Sequence, residues 1–195
     1  MLRFVFLLMV ISCSSEKAIQ NSNNHPQYLD LLKFEGRWYV LGQSNIAKQE
    51  WYSFGRFPVD DLNNSYELIE LYQLFSLNQY KLTMKYKLGS FYDDFQKENL
   101  RIHIEDKSNN SIWNVSRLWP IGNQFIVHEV DKDYQYAIIG TPYRHYVKVL
   151  ARQKKLPIKL WKSIKEKMKN WGYDTTKFRL IPHQIDPYFA DKIEI

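Results

Sequence analysis

The sequence has little of what covalently braced or metal-dependent proteins need. It contains one cysteine among 195 residues, so an intramolecular disulfide is excluded. Its five histidines show neither the His-Glu-x-x-His pattern nor the paired spacing of a zinc site. A Gly-x-Ser-x-Gly turn and a phosphate-binding glycine loop are also missing, and the adjacent pairs Asp60-Asp61 and Asp93-Asp94 are typical of solvated turns. We therefore expect a protein that is not an enzyme and holds no metal or cofactor.

Long hydrophobic runs are missing as well. The apolar run from Phe4 to Ile11 is too short to span a bilayer, but after Arg3 it fits the apolar region of an export signal. Val10-Ile11-Ser12-Cys13 resembles the bacterial lipobox, in which the cysteine is acylated and becomes the mature N-terminus. We predict a signal peptide over residues 1–12, a lipid anchor on Cys13 and a polar tether over residues 13–27. An incidental thiol at Cys13 is the alternative.

This N-terminus also predicts a location. Ser14 after an acylated cysteine is compatible with outer-membrane sorting, so we expect a lipid-anchored protein of the cell outer membrane that faces the periplasm. The net charge of +6 favours anionic membrane surfaces or acidic ligands, or else reflects a simply solvated surface. The export leader argues against a nucleic-acid partner. The sequence does not predict the oligomeric state.

Short segments of alternating apolar and polar residues follow Gly36. In residues 81–88, for example, Leu82, Met84 and Tyr86 share one face, which is typical of a half-buried antiparallel strand. Eight such strands with short turns favour an all-β, eight-stranded antiparallel up-and-down β-barrel, which leaves no exposed edge. A sandwich of the same strands is the alternative. The predicted strands cover residues 37–46, 65–75, 79–89, 98–106, 111–118, 124–131, 134–141 and 145–153.

Two further segments have different patterns. Apolar residues recur at helical spacing between Pro157 and Gly172, with lysines at many other positions. This pattern predicts a C-terminal amphipathic α-helix packed on the barrel wall, with membrane docking as the alternative. Residues 49–64 hold aromatic side chains without alternation. We predict a lid over one barrel mouth, or else an additional strand. The predicted lid residues are Trp51, Tyr52, Phe54 and Phe57.

Four features of the sequence resemble the lipocalin family. Gly36-Arg37-Trp38 matches the Gly-x-Trp motif of the first strand. Asp131-Lys132-Asp133-Tyr134 is similar to the second motif, Thr-Asp-Tyr, with lysine in place of threonine. Val149-Leu150-Ala151-Arg152 is similar to the third motif, which carries an arginine. Leu156-Pro157 and residues 172–178 resemble the C-terminal pattern of bacterial lipocalins and apolipoprotein D.

The resemblance covers residues 28–184 and leaves residues 185–195 as a tail. It implies a bacterial outer-membrane lipoprotein lipocalin, similar to apolipoprotein D. It also implies that Trp38 closes one end of the barrel and that Arg152 packs over its indole, which makes the pair structural.

A barrel of this type can hold one small ligand. Strand alternation, with the family's parity for the fifth and sixth strands, gives nine candidate ligand-binding residues: Leu82, Met84, Tyr86, Ile102, Trp113, Val115, Arg117, Ile126 and His128. Cations on an apolar wall suit the carboxylate or phosphate of a fatty acid or lysophospholipid. Alternatively, Arg117 lies at the solvated rim and His128 points outward. Two other functions stay open: a lipocalin-fold enzyme or haem protein that uses His128, and an anchored structural protein whose barrel is filled.

Overall fold

The strands of this protein form one closed antiparallel barrel. A computed structural model describes residues 28–44, 65–118 and 121–184. Strand β1 pairs with β8 and also with β2, which closes the sheet of eight strands. The predicted barrel with its C-terminal helix is confirmed. The eight strands are β1 Gly36–Ser44, β2 Ser65–Ser76, β3 Gln79–Leu88, β4 Gln96–Ile104, β5 Ile112–Leu118, β6 Ile121–Val130, β7 Tyr136–Gly140 and β8 Val147–Ala151.

The remaining elements lie at the two ends of the described chain. A short helix, α1 (Leu31–Phe34), precedes the barrel, and α2 (Ile158–Asn170) follows it. After a 3-10 turn, a ninth strand, β9 (Phe178–Leu180), pairs with the second half of β1, where β2 no longer does. Strand β9 is absent from the predicted strands because three residues are too few to show a period.

The barrel has two hydrophobic clusters, one on the inner face of its sheet and one on the outer face. The larger cluster lines the interior and includes Trp38, Leu82 and Ile102. The smaller one lies on the outer wall, where Ile164 and Met168 of α2 pack against residues of β7 and β8 such as Ile138 and Val149. Helix α2 therefore packs on the barrel, as its apolar stripe predicts.

The N-terminal end of β1 is closed by an aromatic plug. The Trp38 and Phe34 rings stack with their centroids 4.7 Å apart, and the indole Nε1–H donates to the Phe34 carbonyl at 2.8 Å. The guanidinium carbon of Arg152 lies 3.8 Å from the Trp38 ring centroid. Its nitrogens donate to several backbone carbonyls of α1, of β1 and of the residue between them, including those of Glu35 at 2.9 Å and Arg37 at 2.7 Å. The expected Trp38–Arg152 pair thus also fixes α1 to the barrel end.

The turn before β7 joins this closed end. The Asp131 carboxylate accepts backbone hydrogen bonds from Asp133 and Tyr136, at 3.3 and 2.9 Å. Tyr134 has φ +55°, so it belongs to the turn, and β7 starts two residues later than predicted. The Tyr134 hydroxyl accepts a hydrogen bond from the Asp30 N–H at 2.8 Å.

Several predictions concern residues outside the described ranges. These are the signal peptide, the lipid anchor on Cys13, the tether, the four aromatic lid residues at 51–57 and the tail at 185–195.

Candidate functional site

The inner wall of the barrel is continuous across β3, β4 and β5. Register places Leu82 opposite Leu100, Tyr80 opposite Ile102, and Ile102 opposite Val115. All of these side chains belong to the interior cluster and are at most 7% exposed. The candidates that the structure places on this wall are Leu82, Met84, Tyr86, Ile102, Trp113 and Val115.

Trp113 lies deeper than the other five candidates. Its ring packs edge-on against Phe34, with centroids 5.1 Å apart, and its Nε1–H donates to the Asn110 carbonyl at 2.7 Å. Trp113 therefore belongs to the aromatic plug of the closed end. The other five candidates form the rest of the wall, and Met84 and Tyr86 lie farthest from the plug along β3.

The predicted inner-wall positions of Ile126 and His128 are wrong. Phe125 and Val127 are the β6 residues of the interior cluster, so Ile126 between them points to the outer face. A register shift then follows, because Val127 lies opposite Ile139 while Glu129 lies opposite Ile138. Two residues on β6 thus span one step on β7, which is a β-bulge. Strict alternation counted back from Val130 ignores this bulge, so it places Ile126 and His128 on the inner face, whereas the structure places them on the outer face.

His128 is buried under α2, outside the barrel lumen. Its ring stacks on Trp171 with centroids 5.0 Å apart, and its Nε2 is 2.7 Å from the Tyr173 hydroxyl. Tyr173 in turn donates to the Thr141 carbonyl at 3.1 Å. A haem or lumenal acid–base role for His128 loses its basis, because the side chain joins the helix to the wall.

Arg117 lies at the barrel rim away from the aromatic plug. Its Nη2 donates to the Glu98 carboxylate at 2.7 Å, and the two side chains are 47% and 26% exposed. Glu98 lies opposite Met84 and alternates with Leu100 and Ile102, so the pair stands where the apolar wall meets solvent. Arg117 thus matches the rim alternative of the sequence analysis.

Sequence reasoning missed a charge pair inside the barrel. Lys148 Nζ donates to both oxygens of Glu70, at 2.5 and 2.7 Å, and their side chains are only 9% and 2% exposed. Glu70 lies directly opposite Trp38, and Lys148 lies opposite Ile139 of the interior cluster. The available signal was Lys148 itself, since it is a lone charge within the apolar strand Val147–Ala151.

Two tyrosines and a glutamine complete this buried cluster. Tyr72 donates to Glu70 Oε2 at 2.5 Å, and Tyr146 donates to Gln43 Oε1 at 2.8 Å. Burial raises the pKa of both tyrosines well above its ordinary value, and the nearby Glu70 carboxylate raises it further. Both hydroxyls therefore stay protonated and act as donors. We define the polar cluster as Gln43, Glu70, Tyr72, Tyr146 and Lys148.

A bulge in β1 turns Gln43 into the lumen. Val40 lies opposite Leu150 and Gly42 opposite Val149, so Leu41 is the additional residue. The same shift brings Gly42 under β9, where a Cβ would lie 2.4 Å from the Phe178 ring. Only glycine fits there, and the bulge positions one member of the polar cluster.

A groove of about 340 Å³ lies outside the barrel, between α2 and the C-terminal segment. Leu41, Trp161 and His183 are among its lining residues. His183 Nε2 hydrogen-bonds the Val40 carbonyl at 2.9 Å, and burial lowers the pKa of the imidazole.

Within the described ranges, no cluster of three or more histidine, cysteine, aspartate or glutamate side chains could ligate a metal ion. None of the helices described there has the length and apolarity required to cross a bilayer.

A family model for the lipocalin-like domain matches residues 29–183 of this barrel. The chain belongs to the lipocalin family. Lipocalins generally bind small hydrophobic ligands, and most are binding or transport proteins rather than enzymes.

Individual relatives are distant or partial. Temperature-induced lipocalin-1 of Arabidopsis thaliana is 34% identical over 68 residues, which are 35% of this chain and 37% of the plant protein. Lobster apocrustacyanin A1 has a TM-score of 0.55 at 14% identity, over 83% of this chain and 85% of its own. The siderocalin Ex-FABP, which functions through dual ligand specificities, has a TM-score of 0.54 at 10% identity, over 78% and 92%. At these identities the structural likeness shows the fold alone.

Proposed function

We propose that this lipocalin binds a single-chain amphipathic lipid, a fatty acid or lysophospholipid, inside the barrel. The observation that carries the proposal is the wall from Leu100 to Met84, which is buried and apolar and ends at the Glu98–Arg117 pair. An acyl chain gains roughly 0.8 kcal/mol for each methylene that it buries against such a wall. The polar head then lies at the rim, beside a cation.

The energetics of the two charge pairs favour the rim for the head group. A carboxylate that binds Lys148 must displace Glu70 from a buried pair, which costs about 3–5 kcal/mol if one charge stays uncompensated. A carboxylate that binds Arg117 competes with a half-exposed pair worth about 0–1 kcal/mol. The rim arginine is therefore the cheaper partner. The polar cluster contacts the acyl chain of the ligand and limits how deeply that chain enters the barrel.

We further propose that residues 1–12 are removed and that Cys13 is acylated, which holds the barrel at the outer membrane facing the periplasm. The lipobox-like sequence before Cys13 supports this step. An anchored carrier stores or transfers lipid within the envelope. The anchor is tested separately, by the intact mass of the membrane-extracted protein and of a Cys13→Ser variant. An unprocessed, unacylated wild-type chain would refute the anchor without touching the ligand proposal.

The ligand proposal is tested with delipidated protein and a fluorescent fatty acid. Met84→Trp enlarges an inner-wall side chain and should weaken binding at least tenfold, because it occupies the space of the acyl chain. Lys85→Trp is the matched control, since Lys85 is exposed on the outer face at the next position of β3. Folded wild-type protein that does not bind, or equal losses in both variants, would refute the proposal.

The head-group position is tested with the same assay. Arg117→Gln should weaken binding of the fatty acid by up to about fivefold, since a charge pair at this half-exposed position contributes about 0–1 kcal/mol. The uncharged methyl ester should bind wild type and variant equally. If the ester loses as much affinity as the acid, Arg117 acts on the fold of the rim and not on the head group. Native mass spectrometry of the protein as purified identifies any lipid that accompanies it.

A further inference from the structure

A second surface of this lipocalin lies on the outside of the barrel, away from the proposed ligand site. On the outer face of β3 and β4, register places Lys81 directly opposite Arg101, and Lys85 directly opposite Lys97. All four side chains are exposed, and within the described ranges none has an ion-pair or hydrogen-bond partner. We define these four residues as the cationic face.

Such an arrangement is costly in an isolated sheet. Like charges directly opposite one another on antiparallel strands destabilise the pairing. The two cationic pairs are about 13 Å apart along the strands, since each residue advances roughly 3.3 Å. Between them, Thr83 donates to Asn99 at 3.0 Å, which is a neutral contact. Both strands are fully described, and the one acid of β4, Glu98, belongs to the inner wall. Among the residues that the structure describes, nothing on this face offsets the repulsion.

Bulky apolar side chains border the cationic face. Leu71 lies opposite Thr83 on the neighbouring strand β2 and is 41% exposed. Farther along, Phe75 and the turn residue Leu77 are 56% and 96% exposed at the tip of the β2–β3 hairpin. Cations beside protruding apolar groups are the combination that binds the interface of an anionic bilayer, where the apolar groups enter the head-group region.

We propose that the cationic face, with the β2–β3 hairpin tip, docks on a bilayer surface that contains anionic phospholipid. Charge complementarity selects the anionic head groups, and Phe75 and Leu77 select a bilayer over a soluble polyanion. This inference goes beyond the ligand in the lumen and does not depend on it. It also does not require the anchor on Cys13, although the two would act together.

The barrel supplies a matched control on its opposite side. Helix α2 covers β7 and β8, which lie four strands away from β3 and β4 around the eight-stranded barrel. Its Lys159, Lys162 and Lys165 are exposed like the lysines of the cationic face. A flat bilayer cannot contact both sides of one barrel at once. Comparing the two sets of three lysines therefore separates the effect of their position from the effect of their charge.

The experiment uses residues 13–195, the chain that remains after the proposed removal of residues 1–12, with Cys13→Ser, so that neither the apolar leader nor an acyl group contributes. Co-sedimentation with vesicles of phosphatidylcholine alone is compared with vesicles that also contain phosphatidylglycerol. The triple variant Lys81→Gln, Lys85→Gln, Lys97→Gln should bind the anionic vesicles on the order of 100-fold more weakly, because each lysine near the surface contributes to the attraction. The triple variant Lys159→Gln, Lys162→Gln, Lys165→Gln should lose less than threefold. Both variants should remain folded, with the unfolding midpoint of the first unchanged or raised, since it removes repulsion.

A further variant separates a bilayer from a soluble acidic partner. Phe75→Ser with Leu77→Ser should weaken vesicle binding also at high salt, where charges are screened, and should leave binding to polyglutamate unchanged. Equal losses in the two triple variants, a larger loss in the helix variant, or no preference for phosphatidylglycerol would each overturn the proposal. If the Phe75→Ser, Leu77→Ser variant loses polyglutamate binding but keeps vesicle binding, the surface binds a soluble acidic partner, which would also overturn the proposal.

Discussion

Replacing Lys148 by methionine should leave the Glu70 carboxylate buried without its counter-ion. The native contacts of 2.5 and 2.7 Å and the small exposure of both side chains exclude the weak, screened interaction of a surface pair. Removing one partner of a buried pair costs about 3–5 kcal/mol. That is a large part of the 5–15 kcal/mol by which domains are typically stable. We therefore expect Lys148→Met to lower the free energy of unfolding by about 3–5 kcal/mol.

The double variant Glu70→Gln, Lys148→Met removes both charges and keeps an acceptor for the Tyr72 hydroxyl. Replacing a whole buried pair by neutral side chains is often neutral or stabilising. We expect the double variant to unfold within about 1 kcal/mol of wild type, and Glu70→Gln alone to be destabilised because the ammonium stays buried. The two single losses should therefore greatly exceed the loss of the double variant.

Urea unfolding followed by circular dichroism gives all four corners of this double-mutant cycle. The slopes with denaturant should agree among the variants, which shows that the free energies are comparable. Single losses below about 1 kcal/mol, where surface pairs fall, would show that the pair behaves as a solvated one. A double variant as unstable as the sum of the singles would show that the two charges are not coupled. Either result would refute the reasoning from burial.

Two other predictions concern the closed end and the outer groove. Trp38→Ala should lower the free energy of unfolding by about 3–5 kcal/mol and leave the fatty-acid affinity of the folded fraction unchanged. Urea unfolding measures the first effect and ligand titration the second. A loss of affinity without a loss of stability would contradict a structural role. Burial lowers the pKa of His183 in the folded state, although its contact with the Val40 carbonyl opposes this, so the unfolded chain binds more protons. The stability that neutral His183 contributes should be fully present above about pH 6.5, the pKa of histidine in the unfolded chain. It should decrease as the pH falls below that value. His183→Gln should flatten that decrease; a pH dependence equal to that of the wild type would reject the assignment.

Strand alternation predicts most of the barrel because it depends only on local side-chain direction. Leu82, Met84 and Tyr86 lie on the inner wall as their spacing indicates. The pattern fails at β6 because a bulge is set by the pairing with β7, and periodicity within one strand carries no record of its partner. Alternation therefore predicts the wrong face for Ile126 and His128. The same holds for β1, where the bulge that turns Gln43 inward depends on β8.

The sequence is sufficient to predict the lipocalin fold, since its motifs and the change from period two to helical spacing are local properties of the chain. It also determined which side chains could close the barrel, as Trp38 and Arg152 do. The folded arrangement alone brings Glu70 and Lys148, which are 78 residues apart in sequence, together inside the barrel. It likewise decided that Lys81 faces Arg101 and that Lys85 faces Lys97 outside. The physical reason is that strand register, which long-range hydrogen bonding sets, determines which charges become neighbours.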